Sequence, residues 1–122
     1  MKSIKISDSE WQVMNVVWAR SPLTGGEIIA AVGSRCRWQP RTVRTLLDRL
    51  VGKGALKVLE EGKRRFVPGV SQEACMHSES RSFMERVFGG QPAPMLLRMI
   101  KDTRLTKEEI AQLRKILSEK EK

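Results

Sequence analysis

Apolar residues recur at helical spacing in the stretch from Trp38 to Lys53. They stand at i, i+3, i+4, i+7 and i+8, the pattern of one face of an amphipathic helix (Val43, Leu46, Leu47, Leu50 and Val51). Pro40 fits the first helical position, where its missing N–H costs nothing. At about 100° per residue, the opposite side carries charged and polar groups (Arg41, Thr45, Asp48 and Arg49, with Arg44 on its flank). The pattern predicts a helix that buries one side and presents arginines on the other.

Two shorter helices are predicted ahead of this one. Ser7–Glu10 has the S-x-x-E form of a capping box and precedes an apolar stripe (Trp11, Met14, Val17 and Trp18). Both tryptophans share the face of Met14, which favours core packing over a stacking platform for bases. A second capping box at Thr24–Glu27 opens the next helix, and Gly33 is expected to close it with a left-handed cap. Three helices with a basic, amphipathic third form a helix-turn-helix arrangement.

The residues after the third helix predict a β-hairpin. Ala55–Glu60 alternates enough for a strand, Gly62 supplies a turn, and Arg65–Pro68 forms the returning strand. Phe66 is expected to pack inward, and Pro68 to limit its strand to an edge. Because a lone hairpin is marginally stable, we expect it to lie on the helices. The prediction is a winged helix over residues 1–70, mostly α with a small β wing, whose wing tip carries Lys63, Arg64 and Arg65.

Residues 71–122 predict three further helices with apolar stripes. The first begins at Ser71 and runs to about Phe88, before a break at Gly89–Pro92, and the last follows a third capping box at Thr106–Glu109. Helices of this size bury little against each other, so the pattern favours pairing with a second copy. Folding back onto the winged helix in a monomer is the alternative. The side chains expected at the dimer interface are Phe83, Val87, Phe88, Met95, Leu96, Met99, Ile100, Ile110, Leu113, Ile116 and Leu117.

The charge of the chain indicates which kind of partner it binds. Its net charge is +9, which suits an anionic partner such as nucleic acid or an anionic membrane surface. Between Arg35 and Arg65 stand ten basic residues against three acidic ones. No apolar run is long enough to span a bilayer, and the first ten residues lack the apolar core of a signal peptide. We therefore expect a cytoplasmic protein whose basic region faces double-stranded DNA.

Little in the sequence indicates catalysis or a metal site. The single histidine, His77, forms only a weak C-x-H spacing with Cys75, and no nucleophile–base pair or glycine-rich phosphate loop is present. We predict no enzyme activity, no cofactor and no metal. The two cysteines are expected to be free thiols. Cys36 lies between Arg35 and Arg37, which leaves thiol chemistry there as one hypothesis for an inducing signal.

Three stretches resemble the penicillinase-repressor (BlaI/MecI/CopY) family: ISDSEWQVMNVVW at 6–18, WQPRTVRTLLDRLVGKGAL at 38–56 and EGKRRFVP at 61–68. The resemblance covers essentially the whole chain. It implies a homodimeric transcriptional repressor whose winged helices bind the halves of a palindromic operator with TACA/TGTA half-sites. Carried over residue by residue, the base-reading positions are Arg41, Thr42, Arg44 and Thr45. The backbone contacts fall on Thr24, Trp38, Arg49, Lys53, Lys63, Arg64 and Arg65.

The chain departs from the family pattern at three places. In the β-lactamase repressors a membrane sensor protease cuts an Asn–Phe bond in the helix before the last, and the matching pair here is Arg98–Met99, the candidate cleavage position. The copper-responsive branch ends in a C-x-C tail, whereas this chain ends SEKEK, so copper sensing by that device is not expected. Gln39 stands where the family has a serine before the proline.

The alternative function is a protein-interaction or architectural module without sequence-specific DNA binding.

Overall fold

The computed structural model describes residues 4–122, and this part of the chain contains six helices and three short strands. Its contacts divide it into two compact units, Met1–Glu79 and Ser80–Lys122. The predicted fold class, mostly α with a small β wing, is confirmed. The elements are α1 (Asp8–Ala19), β1 (Leu23–Thr24), α2 (Gly25–Cys36), α3 (Pro40–Lys53), β2 (Leu56–Leu59), β3 (Arg65–Pro68), α4 (Gln72–Phe88), α5 (Pro92–Asp102) and α6 (Lys107–Lys120).

The core of the first unit lies between α1, α2, α3 and the sheet. The predicted stripe of α3 is buried except for Val51, which is half-buried. Trp11 and Trp18 are half-buried against this core with their ring centroids 5.6 Å apart, so their predicted use in packing is confirmed. The capping boxes at the starts of α1 and α2 are also present. The largest fully buried apolar side chains are Val13, Met14, Val17, Ile28, Val32, Val43, Leu50 and Leu56.

The sheet has one strand more than the sequence predicted. β1 pairs antiparallel with β3, and β3 pairs antiparallel with β2, so the order is β1-β3-β2. The expectation that Pro68 would limit its strand to an edge is wrong, because β3 is the central strand. Pro68 is tolerated there because β1 reaches only Arg65 and Phe66. With two residues, β1 is too short to produce an alternating pattern.

The end of α2 also differs from the prediction. Gly33 does not close the helix, which continues to Cys36 and ends at Arg37 in the left-handed region (φ 57°, ψ 38°). The Arg37 N–H donates to the Gly33 carbonyl at 2.8 Å. A Cβ on Gly33 would lie 3.4 Å from the Trp38 carbonyl oxygen. The glycine therefore permits close approach of the following chain rather than a turn.

The second unit leaves most of its apolar surface open. Its helices are separated as predicted, with positive φ at Gly89 and Gly90, Pro92 in the first turn of α5, and a capping box from Thr106 to Glu109 at the start of α6. No side chain in this unit is buried. The large apolar side chains exposed in it are Phe83, Val87, Leu96, Leu97, Met99, Ile100, Ile116 and Leu117.

Candidate nucleic-acid interface

Helix α3 presents a polar face opposite its buried stripe. Pro40 occupies the first turn, Gln39 makes no side-chain capping bond, and Gly54 ends the helix with φ 83°. Because the stripe is anchored in the core, the rotation of α3 about its axis is fixed. The side chains it turns outward are all exposed: Arg41, Thr42, Arg44, Thr45, Asp48 and Arg49. These include the predicted base-reading residues.

The hydroxyl of Thr45 is already engaged within α3. Its Oγ1 donates to the carbonyl oxygen of Arg41 at 3.0 Å, one turn back along the helix. The oxygen lone pairs and the methyl group are left for other contacts. While this bond is made, Thr45 can accept a hydrogen bond or pack against an apolar group, and its proton is used within the helix.

One open cleft of about 300 Å³ brings three elements of the first unit together. The start of α2, the middle of α3 and the root of the wing all contribute to its walls. Arg64 lies over the ring of Phe66, with its guanidinium carbon 5.5 Å from the ring centroid, which is cation–π range. The cleft is lined by Gly25, Gly26, Ile29, Arg44, Leu47, Asp48, Arg64 and Phe66.

The wing is the loop between β2 and β3, with Gly62 at φ 72°. Lys63 and Arg64 are exposed on it, while Arg65 is half-buried in β3 opposite Thr24 of β1. The pairing of Arg65 with Thr24 joins the base of the wing to the residue that precedes α2. The pKa of Glu27 is lowered, first by hydrogen bonds with Thr24 and then by the charges of Arg20 and Lys63. The positive charge of Lys63 on the wing therefore acts on Glu27 at the start of α2.

Lys53 lies at the end of α3, and its ammonium is bound by two acceptors of the first unit although its side chain is 38% exposed. Its Nζ donates to Oε1 of Glu10 at 2.5 Å and to the carbonyl oxygen of Lys5 at 2.9 Å. Glu10 is 1% exposed and also accepts from the Ser7 N–H. Burial raises the pKa of Glu10, but the hydrogen bonds from Lys53 and Ser7 outweigh that effect and hold it below its ordinary value. Within the described residues, Oε2 of Glu10 has no hydrogen-bond partner.

The ion pair between Glu10 and Lys53 was not predicted from the sequence. The sequence patterns place Glu10 only in the capping box and Lys53 only among the contacts to the DNA backbone. A signal was available, because Glu10 stands at i−4 and i−7 from Met14 and Val17 and so shares their buried face. A buried carboxylate requires a cation or several donors, and the structure supplies Lys53.

The remaining predicted residues are placed as follows. Trp38 is half-buried against the core, and the Cys36 thiol contacts Gln12 Oε1 at 3.8 Å. Cys75 is buried, which raises its pKa. No group of three or more His, Cys, Asp or Glu side chains within residues 4–122 is arranged to hold a metal. In the second unit, Arg98 and Met99 are both exposed on α5, as is Leu97, which the predicted interface omitted.

None of the helices described is both long and apolar enough to cross a membrane.

A basic third helix packed on two others, with an arginine-bearing β-hairpin beside it, defines a winged-helix protein of the DNA-binding class. Residues 6–119 match the family model described as penicillinase repressor. The chain therefore belongs to the penicillinase repressor family, as the sequence resemblance indicated. Because this is a family of transcriptional repressors, the prediction that the chain is not an enzyme is confirmed.

The chain is similar in sequence to named relatives over nearly its whole length. The chain is 38% identical to the penicillinase repressor of Bacillus licheniformis over 122 residues, covering 98% of this chain and 94% of that one. It is 30% identical to the methicillin resistance regulatory protein MecI of Staphylococcus aureus strain N315, covering 98% of both.

Solved structures support the fold assignment. The solution structure of Bacillus licheniformis BlaI, in monomeric form in complex with the blaP half-operator, is 37% identical with a TM-score of 0.55. It covers 61% of this chain and 93% of that one. MepR, a transcription regulator of the Staphylococcus aureus multidrug efflux pump MepA, is 17% identical with a TM-score of 0.51, covering 94% of this chain and 77% of that one, and shows the fold alone.

Proposed function

We propose that this chain is a homodimeric transcriptional repressor that binds a palindromic promoter operator, with α3 in the major groove and the wing on the adjacent backbone. The observation that carries the proposal is the shared cleft. It places Arg44 of α3, Arg64 of the wing and the start of α2 at Gly25 on one side of the first unit. The half-operator complex of the related BlaI supports it.

We assign the reading of base edges to Arg41, Thr42, Arg44 and Thr45. Arginine donates two parallel hydrogen bonds to guanine O6 and N7, so Arg41 and Arg44 supply the strongest discrimination. Thr45 gives its proton to the Arg41 carbonyl, so we assign it as an acceptor or as a methyl contact to thymine. All four side chains are exposed on the same face of α3.

The phosphate contacts are assigned to exposed or half-buried groups around that face: Thr24, Trp38, Arg49, Lys63, Arg64 and Arg65. Contacts of this kind position the protein and release counterions without reading sequence. Lys53 has another task in this proposal. Its ammonium is held by Glu10 and by the Lys5 carbonyl, so we assign it to fixing the end of α3 rather than to a phosphate.

Dimerisation is assigned to the second unit. Seven of the eleven side chains proposed for the interface are exposed (Phe83, Val87, Leu96, Met99, Ile100, Ile116 and Leu117), and the other four are half-buried (Phe88, Met95, Ile110 and Leu113). Exposed apolar surface of this extent marks an interaction site. A second copy covers it in our proposal, and Leu97 joins the interface because it is 61% exposed.

Release from DNA is proposed to follow an inducing signal. The candidate cleavage position, Arg98–Met99, is exposed but lies inside α5. A protease requires extended backbone, so α5 has to unwind locally before cutting. A membrane sensor protease is the partner that fits this route, and cutting there would divide the proposed dimer interface.

The test is titration of the full chain against two duplexes at two salt concentrations. One duplex carries two TACA/TGTA half-sites about 10 base pairs apart, and the other is scrambled. We expect the first to bind about 10³-fold more tightly or better, with affinity that falls steeply with salt. Equal binding of both duplexes would instead support the architectural alternative.

A further inference from the structure

Asp48 is an acidic residue in the middle of the proposed DNA-reading face. It lies one turn after Arg44 on α3, and both line the cleft that Arg64 also enters. Asp48 is exposed. Its carboxylate makes no hydrogen bond or ion pair within the described part of the chain. No other acidic residue lines this cleft.

An unpaired carboxylate at this position opposes DNA binding in general. Near phosphates it adds like-charge repulsion that is the same for every sequence. The arginines on either side of it attract any duplex, so the carboxylate partly cancels what they contribute. Such a group increases discrimination only if the correct sequence offers it a hydrogen-bond donor.

The major groove offers such a donor on cytosine. The cytosine N4 amino group is the partner that a carboxylate accepts from in direct readout. Arg44 and Asp48 are one helical turn apart, about 6 Å along the axis, so they reach the same or adjacent base pairs. Each TACA/TGTA half-site holds one C·G pair, so Arg44 can bond to its guanine while Asp48 accepts from its cytosine.

We propose that Asp48 is a specificity-determining residue: its carboxylate accepts a hydrogen bond from a cytosine amino group in the operator and repels the phosphates of other sequences. The inference rests on the proposed function, since it requires α3 to lie in the major groove. It assigns to Asp48 the opposite task from the wing lysine and arginines, which strengthen binding to all DNA.

The test compares Asp48→Asn and Asp48→Ala with Glu73→Gln in the full-length protein. Glu73 is an exposed acid on α4 outside the cleft, so its substitution changes net charge by the same amount. We expect both Asp48 variants to bind the scrambled duplex more tightly and to lose about fivefold to tenfold of the operator preference. Glu73→Gln is expected to leave the preference unchanged.

A second measurement identifies the base. The C·G pair of each half-site is replaced by T·A, and affinities are measured for the wild-type protein and for Asp48→Ala. The replacement is expected to weaken wild-type binding more than binding of Asp48→Ala, because the variant loses only the arginine contact to the guanine. The inference is overturned if the Asp48 variants keep the preference shown by Glu73→Gln, or if the replacement costs both proteins equally.

These outcomes separate the inference from the proposed function. A wild-type protein without any operator preference overturns the proposed function, whereas a preference that survives loss of Asp48 overturns only the inference. Unfolding curves for all variants verify the fold, which we expect to be retained because Asp48 is exposed and makes no hydrogen bond or ion pair within residues 4–122.

Discussion

At the level of single residues, Arg44 and Lys63 are expected to contribute to DNA binding in different ways. Arg44 lies on the outward face of α3, and Lys63 lies on the exposed wing. Arg44→Ala should cost about 1–3 kcal/mol on the operator and little on scrambled DNA, because it removes a base contact. Lys63→Ala should weaken both duplexes alike and reduce the slope of log affinity against log salt by about one. Gel shifts at two salt concentrations measure both effects, and identical behaviour of the two variants would contradict this division.

Lys53 is expected to affect stability without affecting the salt dependence of binding. Lys53→Met leaves the carboxylate of Glu10 buried without its cation, which should lower the free energy of unfolding by about 1.5–3 kcal/mol. The slope of affinity against salt should stay at the wild-type value, because no phosphate contact is lost. Urea unfolding and DNA titration provide the measurements.

Lys57→Met is the matched control, since Lys57 is exposed on β2 and its loss should cost less than about 0.5 kcal/mol. The double variant Glu10→Gln/Lys53→Met should lose less stability than the sum of the two single variants. Additive losses of stability would contradict the coupling between Glu10 and Lys53. A reduced slope of log affinity against log salt for Lys53→Met would indicate that Lys53 contacts a phosphate.

The same carboxylate predicts a pH dependence. The pKa of Glu10 is held below its ordinary value of 4.5 in the folded chain, so the folded state binds fewer protons there than the unfolded state. Its contribution to stability is full above pH 4.5 and is lost as the pH falls through the folded pKa. The stability difference between wild type and Glu10→Gln should therefore shrink as the pH is lowered below 4.5 in urea unfolding series. A constant difference would contradict the ion pair. Glu27 has a lowered pKa as well, but it is present in both proteins and cancels.

Residue exposure on α3 was predictable from sequence, whereas the partners of its charged groups were not. The spacing of Val43, Leu46 and Leu50 fixes which side is buried, and the outward arginines follow from that. The bond from Lys53 to Glu10 depends on how the end of α3 meets the start of α1. That meeting joins residues far apart in the chain, and helical periodicity contains no information about it.

Among the elements, those with strong local signals were predicted and those made by tertiary contact were not. The capping boxes at Ser7, Thr24 and Thr106 all form, because a cap is satisfied by residues three positions away. The strand β1 exists only because β3 lies beside it, and α2 continues through Gly33, whose missing side chain leaves room for the Trp38 carbonyl oxygen.

Two glycines next to the sheet and in α3 should respond oppositely to alanine. A Cβ on Gly69 would lie 2.4 Å from the carbonyl oxygen of Gly54, so Gly69→Ala should shift the wing and cost about 1–3 kcal/mol. Gly52 in α3 has open space around it and no positive φ, so Gly52→Ala should be neutral or stabilise by up to about 1 kcal/mol. Urea unfolding of the two variants measures this contrast, and equal effects would contradict it.

For the whole molecule, the open apolar surface of the second unit predicts association. Ile116 is 53% exposed on the predicted stripe of α6, and Ile116→Asp should shift the proposed dimer towards monomer because it would bury a charge at the proposed interface. Ser118→Asp makes the same charge change on the same helix away from the stripe, and should leave association intact. Sedimentation equilibrium measures the shift, and operator affinity should fall with it. A wild-type protein that sediments as a monomer at all concentrations would contradict the proposed interface.

The contact between Lys53 and the Lys5 carbonyl has a consequence for the other end of the chain. The segment ahead of α1 supplies one of the two acceptors that hold the last residue of α3. Proteolytic trimming before Ser7 would remove that acceptor and leave the carboxylate alone to hold the ammonium. Loss of the residues up to Lys5 would then loosen the fit of this protein to DNA, although neither Ile4 nor Lys5 is among the residues assigned to DNA contacts.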